Sequence, residues 1–179
     1  MTLWLVLGAV LIAGWFSNRY AWWRRPVDPR HPRVLMYHMV SPHRPGAKFN
    51  GLRVPPERFE AQLDWLKRKG WTFFTVGELW AQWDELPEKS VAITFDDGYA
   101  DNLHNALPLL DKYDAKATIY IVVDRHDRDW STAKKAHHNT GELAREPKLS
   151  DDELQRLVAS GRIEIGSHTL THINLATTA

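Results

Sequence analysis

Two adjacent carboxylates, and two histidines four residues apart, are the side chains in this sequence best suited to chemistry. The carboxylates, Asp96 and Asp97, close the run V-A-I-T-F-D-D-G-Y at residues 91–99. The run opens with small, β-branched and aromatic residues, which predicts a buried strand. In α/β folds the carboxyl end of a strand is where ligands bind. Side chains diverge once a strand stops, so one carboxylate can hold a cation while its neighbour takes a proton. Gly98 lets the backbone turn sharply or approach a ligand closely. Taken alone, this motif is equally a strand followed by an acidic turn, because Asp-Gly is a common turn pair.

The histidines lie about 70 residues later, in R-I-E-I-G-S-H-T-L-T-H-I-N-L at residues 162–175. A short strand is expected over residues 163–165, ended by Gly166 and Ser167. His168 and His172 follow at i, i+4, a spacing that in a helical turn puts both imidazoles on one face. Two such imidazoles can bind a divalent metal, with a carboxylate as third ligand and water in the open position. An isolated H-x-x-x-H is more often a pair of solvated histidines. The two stretches together are far more specific than either.

T-F-D-D-G with S-H-T-x-x-H resembles the first two motifs of the polysaccharide deacetylases, the NodB-homology domain of carbohydrate esterase family four. The resemblance runs from about Val34 to the last residue. It includes A-D-N-L-H-N-A-L-P-L-L-D-K-Y-D-A-K-A-T-I-Y-I-V-V after the first motif and S-G-R-I-E-I-G-S-H-T-L-T-H at the second. It implies that Asp96 is the catalytic base and that Asp97, His168 and His172 are metal ligands, usually for zinc. It also implies an α/β fold, a partial and distorted (β/α) barrel. The expected activity is metal-dependent removal of N-acetyl groups from an amino-sugar polysaccharide. The backbone N–H of Tyr99, beside the first motif, is the expected oxyanion donor.

The other elements must bring these stretches to one rim. Residues 33–40, R-V-L-M-Y-H-M-V, read as the first strand, and a parallel sheet would set His38 on the rim with Asp96 and Asp97. A histidine can equally close a strand by bonding to backbone. The L-x-Y-H-x-V element also resembles the branch that de-N-acetylates poly-N-acetylglucosamine exopolysaccharides, which implies an active-site role for His38. Residues 56–69 form an amphipathic helix with Phe59, Leu63 and Leu66 inward. A strand is expected over 71–75 and a helix over 76–83. A further helix is expected over 102–113, with Pro108 kinking or breaking it. A strand covers 117–123. Ser150 to Glu153 reads as a capping box opening a helix that runs to about Ser160. Residues 124–148, with His126, His137 and His138, read as a solvated loop rather than a second metal cluster.

Net charge is +1 over 179 residues, which gives no argument for nucleic acid. The chain has no cysteine, so disulfides, thiolate metal sites and a Cys nucleophile are excluded. Most of the nine tryptophans are expected in core packing. Residues 3–16 are almost wholly apolar, and extending to Trp23 gives a marginal membrane span with an aromatic border. The expected organisation is an anchor over 1–25, a linker over 26–32 and the deacetylase domain over 33–179. A signal segment and a buried core helix are the alternatives. Arginines follow the apolar run, which by the positive-inside rule favours a cytoplasmic domain. The resemblance implies an exported substrate and so an extracytoplasmic one, which is the expectation adopted.

The family's later motifs, which supply an arginine beside the base, an aromatic wall and a late histidine acid, have no counterpart here, and a C-terminally truncated domain is expected. Ile173 stands where proline often follows the second histidine. The competing reading is a membrane-anchored glycan-binding pseudoenzyme or an inactive fragment. The four intact residues Asp96, Asp97, His168 and His172 argue against it, because a binder has no need of a base.

Overall fold

The computed structural model describes residues 2–21, 23–24, 27–126 and 141–173. In chain order the regular elements are α1 (Thr2–Tyr20), β1 (Arg33–Tyr37), α2 (Pro56–Arg68), β2 (Thr72–Phe74) and α3 (Val76–Ala81). They continue with β3 (Ser90–Asp96), α4 (Leu107–Lys112), β4 (Ala117–Ile121), α5 (Asp151–Ala159) and β5 (Ile163–Ser167). Among the described residues the strand pairings are all parallel, as the alternation of strands and helices predicts.

The sheet is built on β3. Residues 90–95 are buried, and a run apolar on both faces suits the centre of a parallel sheet. β1 pairs with Val91–Phe95 along one edge. The other edge is divided, with β2 on residues 90–92 and β4 on residues 93–96. β5 then pairs with β4.

The register separates two faces. Val91, Ile93, Phe95, Ile119 and Ile163 meet Phe59, Leu63 and Leu66 of α2, Leu110 of α4 and Leu157 of α5. Phe59 is at the centre of this layer, with ring centroids 5.2 Å from Tyr37 and 5.7 Å from Phe95. The opposite face carries Val34, Met36, Thr94, Asp96, Thr118, Tyr120, Glu164 and Gly166, which the pairing places side by side. Val34 and Met36 are each 59% exposed, so this face is open at its β1 edge.

The helix expected over residues 102–113 is divided. Asn102–Ala106 form a π-turn, and the Leu107 N–H reaches back to the Asn102 carbonyl. Pro108 has no N–H to offer the preceding turn, and the wider turn leaves it near the start of α4, where none is needed. The expected capping box, Ser150 with Glu153, is formed, and a second, unforeseen one joins Thr75 and Glu78 at the start of α3.

The tryptophan expectation is overturned. Trp4, Trp15, Trp23, Trp65, Trp80 and Trp83 are all exposed, so the described core is aliphatic and phenylalanine-rich. The α1 window Leu3–Tyr20 is long and apolar enough to cross a membrane, and none of it is buried in the body. The core-helix alternative therefore lacks a packing partner among the described residues.

Phe59→Ala is expected to cost about 3–5 kcal/mol in urea unfolding, through lost burial and the cavity it leaves. Trp80→Ala, at an 82% exposed position, should change stability by no more than about 0.5 kcal/mol.

Candidate metal centre

Asp97 is the first residue after β3, and its backbone has φ 75°. Gly98, φ 70°, continues the left-handed turn. Asp tolerates this region better than most residues, though at a cost. The turn carries the Asp97 side chain into the protein, where it is 4% exposed, while Asp96 stays on the open face of the sheet at the level of Tyr120.

His168 and His172 converge on Asp97 from beyond β5. Their Nε2 atoms lie 3.5 and 3.4 Å from Asp97 Oδ1. The two rings are 5.0 Å apart. The expected helical turn is not what joins them. Thr169 and His172 have φ of 68° and 57°, which a right-handed helix cannot contain. The loop is instead stitched to the chain after β4. The His168 N–H donates to the Ile121 carbonyl at 2.7 Å, and the Asp124 N–H to that of Leu170 at 2.8 Å. The spacing of four residues brings the imidazoles together by a strained loop, because sheet contacts outweigh local helix propensity.

The donor set fits a divalent cation. Asp97 Oδ1 is buried and accepts no hydrogen bond among the described residues. A buried carboxylate oxygen left in that condition is costly unless something positive meets it. Asp97, His168 and His172 each direct a ligand atom to one place, all within 4.8 Å of one another. One oxygen and two imidazole nitrogens are the donors that zinc accepts, with a position left open.

Asp96 is half-buried. Burial raises its pKa above the usual aspartate value, opposed by the nearby charges of His168 and His38 and reinforced by Asp97. His38 follows β1 directly, and its Nε2 lies 4.0 Å from Asp97 Oδ2. The parallel sheet thus brings all five side chains to one rim. Tyr99 is bridged to Lys148 by hydrogen bonds that use the Ala100 N–H and the Gly98 carbonyl. The N–H of Tyr99 itself is not used by that bridge. His126 is exposed, and His137 and His138 lie outside the described residues.

Several supporting residues were not foreseen. Arg53, whose side chain is fully buried, donates to Glu146 at 2.6 Å, and Arg44 reaches the same carboxylate. The end of the charged segment read as a solvated loop is therefore packed beneath the rim, with Glu146 only 6% exposed. A lone Arg and a lone Glu far apart in a polar sequence give no signal of such a pair. Gly166 faces the Tyr120 ring so closely that a Cβ there would lie 2.5 Å from two ring carbons. Asn102 is wholly buried beside His38.

The fold and this rim define an α/β protein whose reactive side chains gather at the carboxyl ends of one parallel sheet. A family model described as polysaccharide deacetylase matches residues 83–179. The inferred polysaccharide deacetylase YxkH of Bacillus subtilis is 36% identical over 156 residues, covering 86% of this chain and 47% of that protein. The poly-β-1,6-N-acetyl-D-glucosamine N-deacetylase of Staphylococcus aureus is 30% identical over 125 residues, covering 69% of this chain and 39% of that protein. The structure of IcaB from Ammonifex degensii matches with a TM-score of 0.62 at 28% identity, covering 80% of this chain and 54% of that one. This chain belongs to the polysaccharide deacetylase family. It spans less than half the length of these two curated relatives.

Two outcomes test the surroundings of the site. Gly166→Ala should displace the Tyr120 ring, visible as a changed near-ultraviolet circular dichroism signal. Asp101, near the rim, has its pKa raised from 3.8 to about 6 by burial, against hydrogen bonds with the Val40 backbone and Ser41. The folded state therefore holds this proton more tightly than the unfolded state. Its contribution favours folding below pH 3.8 and is lost as pH rises to about 6. Asp101→Asn should flatten that part of the stability–pH profile, a difference on the order of 2–3 kcal/mol between pH 4 and pH 7.

Proposed function

We propose that this chain carries the metal-dependent site of an N-acetyl hydrolase acting on an amino-sugar polysaccharide. The observation that carries the reading is the buried Asp97 oxygen set between two imidazole nitrogens, with a second carboxylate on the adjacent residue. The Staphylococcus aureus relative is named for removing N-acetyl groups from poly-β-1,6-N-acetyl-D-glucosamine, which supports a substrate of that class.

Asp97, His168 and His172 would hold the ion, most favourably zinc. When bound, such an ion acidifies water and polarises a carbonyl. Asp96 is the base. Its open-face position leaves it accessible to water, and its raised pKa suits proton acceptance better than an ordinary surface aspartate does. Loss of a proton to Asp96 lets the water oxygen attack the acetyl carbonyl carbon. The Tyr99 N–H then donates to the oxyanion that develops. His38, whose Nε2 lies 4.0 Å from Asp97 Oδ2, gives a proton to the departing amine. The products are acetate and a glucosamine unit. The open face beside Val34 and Met36 would admit an extended polymer.

The domain reading is an anchor or signal segment over 1–25, a linker over 26–32 and a partial (β/α) barrel over 33–179. An extracytoplasmic site follows from a polysaccharide substrate. The pseudoenzyme reading is disfavoured by the Asp96–Asp97 pair, since a glycan binder gains nothing from a desolvated base.

The test is free-amine release from N-acetylglucosamine oligomers by the full chain with zinc, with a chelator, and in Asp96→Asn. Zinc-dependent release should fall at least about 100-fold with either chelator or substitution. Release that persists equally in both would overturn the reading.

A further inference from the structure

Asn102 is an amide at a fully buried position. It is 0% exposed, and Leu103 and Ala106 of the same turn are buried as well. Its Nδ2 donates to the His38 carbonyl at 3.0 Å and to Asp101 Oδ1 at 3.1 Å. Its Oδ1 is buried without a hydrogen-bond partner among the described residues. An orphaned acceptor in a core is destabilising, so the donor end must provide something in return.

What it provides is a bond to the backbone between the end of β1 and the bridge of Met39 to Arg53. β1 stops at Tyr37, and His38 is the next residue. From here the chain has left the sheet, and no β3 residue is registered with His38. The Asn102 bond is therefore a fixed point for the His38 backbone just where the ladder gives out. Asn105, three residues on, donates to the Val40 carbonyl at 2.7 Å and fixes the next stretch. Both amides lie on the π-turn that Pro108 accompanies, a local departure of the kind that recurs at functional sites.

We infer that Asn102 is a positioning residue: it holds His38 at the rim, 4.0 Å from Asp97, so that the imidazole can deliver its proton to the leaving group. This rests on the role proposed above for His38. Misplacing a reacting group by about 1 Å can cost up to about 100-fold in rate.

The consequence is selective. A leaving amine needs a proton, whereas a leaving 4-nitrophenolate does not. Asn102→Leu in the full chain should lower kcat for N-acetylglucosamine oligomers at least about tenfold while hydrolysis of 4-nitrophenyl acetate stays within about twofold. Zinc should still bind one per chain. A general folding defect would lower both activities and the zinc stoichiometry together. Asn102→Ala serves where Leu overpacks, and Asn105→Ala is the control, expected to keep the wild-type ratio of the two activities. Crystals of the Asn102 variant provide a readout without turnover, and His38 should be displaced from Asp97 by about 1 Å or more. An unmoved His38, or amide and ester activities falling equally, would overturn the inference. If the wild-type chain itself releases no amine, the deacetylase reading fails separately, and the crystals alone decide the role of Asn102.

Discussion

The rim depends on one constraint: the Asp97 carboxylate is kept inside the protein with its Oδ1 satisfied by no hydrogen-bond donor among the described residues. Left alone, such a group would draw in water or turn outward, because desolvating an unpartnered carboxylate costs several kcal/mol. Three features prevent both. The left-handed backbone at Asp97 and Gly98 fixes the side chain's direction. The segment that crosses Gly98 and Tyr99, bonded through Pro147 and Leu149, closes over the turn. The loop beyond β5 then brings two imidazole nitrogens within 3.5 Å of the same oxygen.

That arrangement also separates the two adjacent aspartates. Asp96 is the last residue of β3 and takes its direction from the sheet, facing the open side with Thr94 and Tyr120. Asp97 takes its direction from the turn. One chemical group thus occurs in two environments within a single peptide unit, the pattern by which proteins give like residues unlike roles. Two residues before the turn, Phe95 is anchored in the buried layer by its packing against Phe59 and Tyr37.

Much of this was legible in the sequence, for identifiable reasons. A strand apolar in character and ending in D-D-G, parallel β/α alternation and the Ser150–Glu153 capping box are local patterns, and each appears where expected. His38 could be placed on the rim because parallel strands share their carboxyl ends. The imidazole pair was legible by residue type but not by geometry. Its convergence comes from positive φ at Thr169 and His172 and from bonds to the chain after β4, none of which spacing encodes. The tryptophans misled because aromatic content says nothing about which face a ring occupies. Arg53 with Glu146, and Asn102 with His38, join positions 93 and 64 residues apart, and pairing at that range leaves no mark on a single sequence.

The central claim is that Asp97, His168 and His172 form one metal centre. The most direct measurement is anomalous diffraction at the zinc absorption edge from crystals of the chain grown with Zn2+. One peak is expected, bounded by Asp97 Oδ1 and the Nε2 atoms of His168 and His172 at about 2.0–2.2 Å. Zinc found only on other histidines, or no peak in a folded crystal saturated with the metal, would contradict the account.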